Sequence, residues 1–241
     1  MSDAGKGAHS GKTIVITGAT SGIGEACARF FAEAGAHVHG WGLRADQSVL
    51  AGVENISLKE LDVTDEAALG GAFETLQSVD YLIPAAGISV AQREHEPEIF
   101  DKVLAINLTA VMRACTLARP RMGQGGAMVL IASMYSTFGS GDRPAYAASK
   151  GAIVQLTRSL AQSYAPDGIR VNAVAPGWID TPLLAPLKAD TAISAAILGR
   201  TPLARFGEPV EIAKVASFLC GDGASFVTGA TIPVDGGYLT V

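Results

Sequence analysis

A short β-branched run followed at once by a turn with three glycines constrains the fold of this chain more than any other feature. Residues 13–17 (TIVIT) predict a strand, and Gly18, Gly22 and Gly24 follow in the spacing Gly-x-x-x-Gly-x-Gly. Apolar residues at helical spacing over residues 25–34 predict a helix directly after the turn. In this order, the main-chain N–H groups of the turn and the positive end of the helix form a cradle for phosphate. The glycines could also form only a tight turn, but their place after the first strand favours the phosphate interpretation.

The rest of the chain alternates between predicted strands and helices, as in a parallel α/β sheet. Further strands are predicted at residues 35–44, 55–61, 80–83, 127–132, 169–175 and 230–234. Helices are predicted from about residue 65 and over residues 96–119, 146–165 and 208–220. No repeat or shift of composition divides the 241 residues. We therefore expect one domain over residues 12–241, a Rossmann-like, doubly wound parallel sheet of about seven strands with helices on both faces.

Two segments are expected to lie outside this regular pattern. Residues 1–11 are small and polar, which predicts a flexible tail in which His9 is solvated. Residues 182–199 are rich in Leu, Ala and Ile, contain Pro186, and follow a strand end directly. This second pattern predicts a helical lid over a site at the strand ends.

Charge and cysteine usage exclude several classes of function. The formal net charge is −5 without a basic block, so no nucleic-acid partner is expected. Cys27, Cys115 and Cys220 are widely spaced among apolar residues, which predicts buried thiols in a reducing compartment. No run is apolar and long enough for a signal peptide or a membrane span, so we expect a cytoplasmic protein with no membrane partner. His37 and His39 lack an accompanying carboxylate or cysteine, so no metal site is expected.

Tyr146 and Lys150 are the first candidate catalytic residues. They stand four residues apart at the start of a predicted helix, which places both side chains on one helix face. A positive charge close to a phenol favours the phenolate and moves its pKa toward neutral pH, as proton transfer to or from an alcohol requires. Taken alone, the two residues are better explained as an ordinary pair on a helix face, and only the rest of the chain favours the catalytic interpretation.

Other polar residues are expected at strand ends or inside apolar runs. Ser133 follows the predicted fifth strand and Asp62 follows the third, at the sheet edge where open α/β sheets bind ligands. Asn107 lies within the apolar pattern of a predicted helix, where a buried amide without partners costs about 1–3 kcal/mol. It is either a hydrogen-bonded core amide or part of a site.

Several short motifs occur in an order and at a spacing along the chain that resemble those of the short-chain dehydrogenase/reductase family. The resemblance covers the chain from about Gly11 to its C-terminus, and the combination is far more specific than any single motif. The matching residues are Thr17-Gly18-Ala-Thr-Ser-Gly22-Ile-Gly24, Asp62-Val63, Ala86-Gly87, Asn107, Ser133, Tyr146-Ala-Ala-Ser-Lys150 and Pro176-Gly177.

The resemblance implies a catalytic role for four residues. Tyr146 would transfer the proton, and Lys150 would lower the pKa of Tyr146 and bind the nicotinamide ribose. Ser133 would polarise the substrate oxygen, and Asn107 would position a water that links Lys150 to solvent. Hydride would pass between nicotinamide and the carbon that bears this oxygen.

The same resemblance implies a set of cofactor contacts. The glycine turn would hold the pyrophosphate, Asp62 and Val63 the adenine, and the segment after the sixth strand the nicotinamide half. Together with Tyr146 and Lys150, the implied cofactor-binding residues are Gly18, Ser21, Gly22, Ile23, Gly24, Asp62, Val63, Ala86, Gly87, Pro176, Gly177, Ile179 and Thr181. A homo-oligomer, either a dimer or a tetramer, is also implied.

Two departures from the family pattern affect the cofactor. Pro84 and Ala85 replace the usual Asn-Asn, so that turn can serve the cofactor only through its backbone. Gly42 stands where the acid that selects NAD is usual, and Ser21 stands where members that use NADP often carry a basic residue. We expect NAD(H) to be favoured over NADP(H), because no cation is clearly placed for a 2′-phosphate. Arg44 could reverse this preference.

The predicted activity is an NAD(P)-dependent hydride transfer to or from a small secondary alcohol or ketone. Leu183, Leu184, Leu187 and Ile193, together with Met134 and Phe138, are expected to line an apolar pocket. The family resemblance allows sugars, sugar acids and 3-oxoacyl thioesters, and the sequence does not choose among them. The alternative is a catalytically idle dinucleotide-binding protein that acts as a redox sensor or scaffold. The presence of all four catalytic residues argues against it.

Overall fold

The computed structural model describes residues 7–241 and contains one seven-stranded parallel sheet with helices on both faces. The predicted fold class is confirmed, and each predicted strand is present with its ends shifted by no more than two residues. In the order β3-β2-β1-β4-β5-β6-β7, the strands are β1 (Thr13–Thr17), β2 (His37–Gly42), β3 (Ile56–Glu60), β4 (Tyr81–Pro84), β5 (Ala127–Ile131), β6 (Arg170–Pro176) and β7 (Thr231–Val234).

Eight α-helices connect or follow the strands in the described part of the chain. They are α1 (Gly22–Glu33), α2 (Glu66–Glu74), α3 (Pro97–Leu104), α4 (Ala110–Ala118), α5 (Pro144–Tyr164), α6 (Ala185–Ala189), α7 (Thr191–Arg200) and α8 (Pro209–Cys220). Within residues 7–241, no helix combines the length and the apolar character that crossing a bilayer requires.

Two expected helices differ from the prediction. The single helix expected over residues 96–119 is divided into α3 and α4 by one π-helical turn, Ala105–Thr109, which holds Asn107. Residues 182–199 form two short helices, α6 and α7, and Pro186 lies in the first turn of α6. A proline is tolerated there because its missing N–H has no intrahelical partner at that position.

Alternating side chains of the strands build a core on each face of the sheet. Ile14 and Ile16 of β1 belong to the core that packs against α1 and α8. Val15 belongs to the core that packs against α2, α4 and α5. Because both faces are covered, the central strands are almost continuously apolar, as expected for a parallel sheet. The three cysteines are free and buried in these cores, and burial raises the pKa of Cys27 and Cys115 to about 12.

The strand order changes direction between β1 and β4. Thr17 at the end of β1 pairs with Trp41 of β2 on one side and with Pro84 of β4 on the other. The connections that leave β1 and β4 therefore diverge and open a crevice at the carboxyl edge of the sheet. Ligands of doubly wound sheets bind at this kind of crevice.

The predicted solvated position of His9 is wrong. The side chain of His9 is 2% exposed, its Nε2 lies 2.7 Å from Ser217 Oγ, and its ring packs against Phe31 and Tyr81. The His9 N–H donates to the carbonyl of Ala34 at the end of α1. Small polar residues suggested a loose segment, but this histidine covers apolar surface between α1 and α8. The part of the predicted tail over residues 1–6 lies outside the described residues.

Burial of His9 predicts a loss of stability in mild acid. Desolvation and the nearby Lys12 charge lower the pKa of His9 below its ordinary value of 6.5, although Asp222 acts in the opposite direction. The unfolded chain therefore binds this proton at a higher pH than the folded protein does, and the free energy of unfolding falls as the pH drops below about 6.5. Urea unfolding at several pH values should show this slope, and His9→Gln should reduce it. His95→Gln is the control, because His95 is exposed; an unchanged slope in His9→Gln would contradict the assignment.

Candidate active site

Ser133 lies at the end of β5 and is joined to α5 through a second serine. Ser133 is 6% exposed, and its main-chain N–H donates to Ser136 Oγ at 3.2 Å. The Ser136 hydroxyl in turn donates to the carbonyl of Lys150 at 2.6 Å. The Ser133 hydroxyl accepts the N–H of Tyr135, so its oxygen is held at the carboxyl edge of the sheet.

Tyr146 and Lys150 occupy the first two turns of α5, as predicted. Lys150 is buried, and its Nζ donates to the carbonyl of Ile131 at 2.7 Å and lies 5.6 Å from the centre of the Tyr146 ring. Burial lowers the pKa of Lys150 to about 8. Burial raises the pKa of the Tyr146 phenol, while the Ser133 hydroxyl and the Arg143 charge act in the opposite direction. In this structure desolvation outweighs the Ser133 hydrogen bond and the Arg143 charge, so the predicted shift of the Tyr146 pKa toward neutral pH is wrong here, and Tyr146 is protonated at neutral pH.

Asn107 is a fully buried amide whose hydrogen bonds are satisfied. Its Oδ1 accepts the N–H of Ile88, and its Nδ2 donates to the carbonyl of Ile88 and to Ser149 Oγ. A β-carbon at Gly87 would lie 3.4 Å from Asn107 Oδ1 and 3.9 Å from Lys150 Nζ. The absence of a side chain at Gly87 thus leaves open the space between the amide and the ammonium. The π-helical turn provides the local change that directs Asn107 toward this space.

The glycine turn after β1 fits a dinucleotide. Gly18 has φ +69°, and a β-carbon there would lie 2.6 Å from the main-chain nitrogen of Ala86. A β-carbon at Gly24 would lie 2.2 Å from the Gly18 carbonyl oxygen, so only glycine lets α1 begin this close to the turn. Ser21 is the N-cap of α1 but makes no side-chain cap bond, which leaves the first amides of Gly22, Ile23 and Gly24 without a side-chain acceptor. A phosphate can take that place.

The segment after β6 lies across the crevice from the glycine turn. Pro176 ends β6, and a β-carbon at Gly177 would lie 2.7 Å from Asp235 Cα. Ile179 is buried, and the Thr181 methyl lies 3.4 Å from the position of a β-carbon at Gly22. The family resemblance assigned the glycine turn to the pyrophosphate and this segment to the nicotinamide half of the cofactor. The two therefore border one crevice.

Near Gly42 and Asp62, where the family resemblance predicts the adenosine half of the cofactor, the side chains differ in exposure. Val63 is buried, whereas Asp62 is exposed and its carboxylate accepts the N–H and the hydroxyl of Thr64, which lower the pKa of Asp62. A β-carbon at Gly42 would lie 2.8 Å from Thr20 Oγ1, so the Thr20 hydroxyl fills the space where an acid would begin. Arg44 is exposed, has φ +57°, and makes no ion pair with any residue over 7–241.

The substrate cleft in front of Ser133 and Tyr146 is mostly apolar. Tyr135 makes edge-to-face contacts with the rings of Tyr146 and Trp178, with centres 6.0 and 6.1 Å apart. Met134, Leu183, Leu184 and Leu187 line the cleft as predicted, together with Ser89, Tyr135, Arg143 and Trp178.

The prediction is wrong for two of the expected lining residues. Phe138 packs against Tyr135 and Tyr238 behind the cleft, and Ile193 is 41% exposed on α7. The sequence pattern missed Tyr135, Arg143 and Trp178, because nothing in it indicates which face of a loop is turned toward the cleft. No cluster of three or more potential metal ligands occurs within residues 7–241.

Known proteins resemble this chain in sequence and in fold. A family model described as enoyl-(acyl carrier protein) reductase matches residues 18–239. The chain is 39% identical to cis-4-hydroxycyclohexanecarboxylate dehydrogenase of Sinomonas cyclohexanicum, over 95% of this chain and 97% of that protein. The crystal structure of a short-chain dehydrogenase/reductase, described as glucose/ribitol dehydrogenase, from Brucella melitensis has a TM-score of 0.88 and 35% identity, covering 97% of this chain and 98% of that one. The chain belongs to the short-chain dehydrogenase/reductase family.

A further solved relative carries a nicotinamide cofactor. It comes from Agrobacterium tumefaciens, contains bound NADP, is 34% identical and has a TM-score of 0.88, covering 96% of this chain and 98% of that one. This short-chain dehydrogenase/reductase is therefore an NAD(P)-dependent oxidoreductase that acts on CH–OH groups.

Glu94 is a residue of this short-chain dehydrogenase/reductase that sequence reasoning missed. Its side chain is completely buried, and Oε2 accepts the main-chain N–H of Tyr146 at 2.7 Å. Oε1 accepts the Ser89 hydroxyl and the N–H of Val90. Glu94 thus caps α5 from a loop 52 residues earlier, and no local pattern could have indicated this long-range contact.

Glu94→Ala should destabilise the protein strongly. Removing the carboxylate leaves the N–H groups of Tyr146 and Val90 without their acceptor, and charged hydrogen bonds of this kind contribute about 1.5–3 kcal/mol each. We expect urea unfolding to show a loss of about 3 kcal/mol in the free energy of unfolding, together with reduced turnover.

The matched control is Glu96→Ala, two residues further along. Glu96 forms an ion pair with Arg93 in which both side chains are more than half exposed. Such a pair contributes at most about 1 kcal/mol. Equal stability of the two variants would show that Glu94 does not hold the start of α5.

Proposed function

We propose that Tyr146 is the general acid/base of a reversible hydride transfer between nicotinamide and a small secondary alcohol or ketone. The observation that carries the proposal is the convergence of Ser133 and Tyr146 on one cleft that continues into the glycine-turn crevice. A bound nicotinamide would supply or accept the hydride at the substrate carbon.

In the reducing direction, Ser133 and Tyr146 would both donate hydrogen bonds to the carbonyl oxygen. The negative charge that develops on this oxygen as the carbon gains hydride would be stabilised by both hydroxyls. The Tyr146 proton would then move to the oxygen, leaving a phenolate and a neutral alcohol. In the oxidising direction, the phenolate would take the alcohol proton. The raised pKa of Tyr146 supports a protonated donor before the cofactor binds.

Lys150 and Asn107 would restore the proton. An ammonium at Lys150 close to the Tyr146 ring would stabilise the phenolate, and its pKa of about 8 allows it to exchange a proton near neutral pH. The open space at Gly87, between Asn107 Oδ1 and Lys150 Nζ, supports a water at this position. Lys150 would also bind the nicotinamide ribose.

The cofactor contacts of this proposal follow the borders of the crevice. Gly18, Ser21, Gly22, Ile23 and Gly24 would bind the pyrophosphate through main-chain N–H groups. Asp62 and Val63 would flank the adenine, and the backbone at Ala86 and Gly87 would lie beneath the ribose. Along the nicotinamide half, the proposed contacts are Pro176, Gly177, Ile179 and Thr181.

Tyr146→Phe should abolish turnover while leaving cofactor binding nearly intact. The variant keeps the ring and loses only the proton that must move, so we expect kcat to fall about 10³-fold, within the range of general acid/base catalysis. NADH fluorescence measures cofactor affinity, and a panel of ketones and alcohols measures turnover.

Tyr164→Phe is the control, because Tyr164 lies on the same helix beneath Arg119, away from the cleft. Full activity of Tyr146→Phe would overturn the proposed role. If the wild-type protein binds NADH but turns over no member of a panel of polyols, sugar acids and 3-hydroxyacyl esters, the idle redox-sensing or scaffold alternative is favoured instead.

The cofactor is proposed to be NAD(H). The Thr20 hydroxyl beside Gly42 can bond a neutral ribose hydroxyl, and the glycine turn contains no cation for a 2′-phosphate. Arg44, which follows β2 directly, is the cation that would pair with a 2′-phosphate if NADP were the cofactor. Cytoplasmic location and homo-oligomeric assembly, as a dimer or tetramer, stay predictions.

Comparison of kcat/KM with NAD and NADP tests the cofactor preference. We expect higher kcat/KM with NAD, and we expect Arg44→Ala to leave the value for NAD unchanged because a neutral ribose hydroxyl needs no cation as a partner. Lys59→Ala, which removes a neighbouring exposed cation on β3, is the control. A preference for NADP that Arg44→Ala removes would show instead that Arg44 binds the 2′-phosphate.

A further inference from the structure

Arg143 is the one charged side chain among the described residues that line the substrate cleft. It is the N-cap residue of α5, three positions before Tyr146, and its side chain is only 12% exposed. Its guanidinium carbon lies 5.9 Å from the centre of the Tyr135 ring, which itself contacts Tyr146. A cation this deeply placed in an otherwise apolar cleft requires a partner.

Asp142 is a partner for only part of the guanidinium. Nε and Nη2 of Arg143 donate to the Asp142 carboxylate at 2.9–3.2 Å. Nη1 of Arg143 has no acceptor among residues 7–241. This nitrogen is accessible to solvent. A guanidinium carries five N–H donors, which leaves three for a ligand.

Asp142 orients the Arg143 guanidinium but does not neutralise its positive charge inside the cleft. The Asp142 carboxylate also accepts the Ser140 hydroxyl, and its side chain is 44% exposed, so solvent screens it more than the guanidinium. Glu94, the other nearby carboxylate, is already bonded to the N–H groups of Tyr146 and Val90 and to the Ser89 hydroxyl. The free edge of the guanidinium is thus a preorganised donor pair.

We propose that Arg143 determines specificity by binding the carboxylate of a hydroxy-acid or oxo-acid substrate whose reacting oxygen is held by Ser133 and Tyr146. This inference rests on the proposed function of the same cleft. The planar guanidinium matches a carboxylate with two parallel hydrogen bonds. The leucines and Trp178 between these polar ends suit an apolar carbon skeleton better than a polyhydroxylated one.

The test compares a carboxylate with its neutral isostere. The probes are cis-4-hydroxycyclohexanecarboxylate, the corresponding carboxamide and cyclohexanol, assayed with wild type, Arg143→Gln and Arg143→Lys. We expect Arg143→Gln to lower kcat/KM for the carboxylate about 100-fold, mainly through KM, with little change in KM for the carboxamide. Arg143→Lys, which keeps the charge and loses the planar fork, should show a smaller loss. Arg158→Gln, an exposed position further along α5, is the control.

A binding measurement separates this inference from the proposed function. Cyclohexanecarboxylate has no hydroxyl to oxidise, and calorimetry with the NADH-loaded protein should detect its binding to wild type and not to Arg143→Gln. Absence of binding to wild type, or equal losses for carboxylate and carboxamide, would overturn the role of Arg143. Turnover of cyclohexanol that depends on Tyr146 would in that case leave the proposed function standing. Thermal unfolding of each variant checks that the fold is retained.

Discussion

The site depends on how the first turns of α5 are attached to the carboxyl end of β5. Two connections hold these turns in place: Ser136 joins the Ser133 N–H to the Lys150 carbonyl, and the buried Glu94, in the loop after β4, accepts the Tyr146 N–H. Both connections bind main-chain atoms of Ser133, Tyr146 and Lys150, so neither of them uses the hydroxyl groups or the ammonium of these residues. The sheet edge and the helix therefore act as one rigid support, which hydride transfer needs because small displacements are costly.

Burial shifts the pKa values of the two ionisable side chains at the start of α5. It raises the pKa of the Tyr146 phenol and lowers that of the Lys150 ammonium, so each group is shifted toward its neutral form. The Ile131 carbonyl and the open space at Gly87 give Lys150 polar surroundings in an otherwise apolar region. A ligand that brings hydroxyl groups into the crevice would add partners for this cation and favour its charged form. In the proposed mechanism, cofactor binding would be coupled to proton transfer in this way.

The sequence predicts those parts of the protein that depend on local pattern. The β-branched run at Thr13–Thr17 and the glycines after it are local signals, and the fold and the place of the turn follow from them. Contacts between distant segments were not predictable: Glu94 reaches Tyr146 across 52 residues, and His9 reaches Ser217 across 208. The π-helical turn at Asn107 was hidden for a related reason, because one extra residue in a turn hardly alters an apolar period.

Contacts between distant segments also hold one wall of the substrate cleft. Leu183, Leu184 and Leu187 form one wall of the cleft, and the segment that carries them continues through α6 and α7 to Arg200. The Arg200 guanidinium lies 4.3 Å from the centre of the Tyr238 ring, and Tyr238 contacts Trp178 of the cleft. The far end of the wall is thus held by the C-terminal segment. The far end of this wall and the start of α5 are thus held by separate contacts, the first by Arg200 on Tyr238 and the second by Glu94.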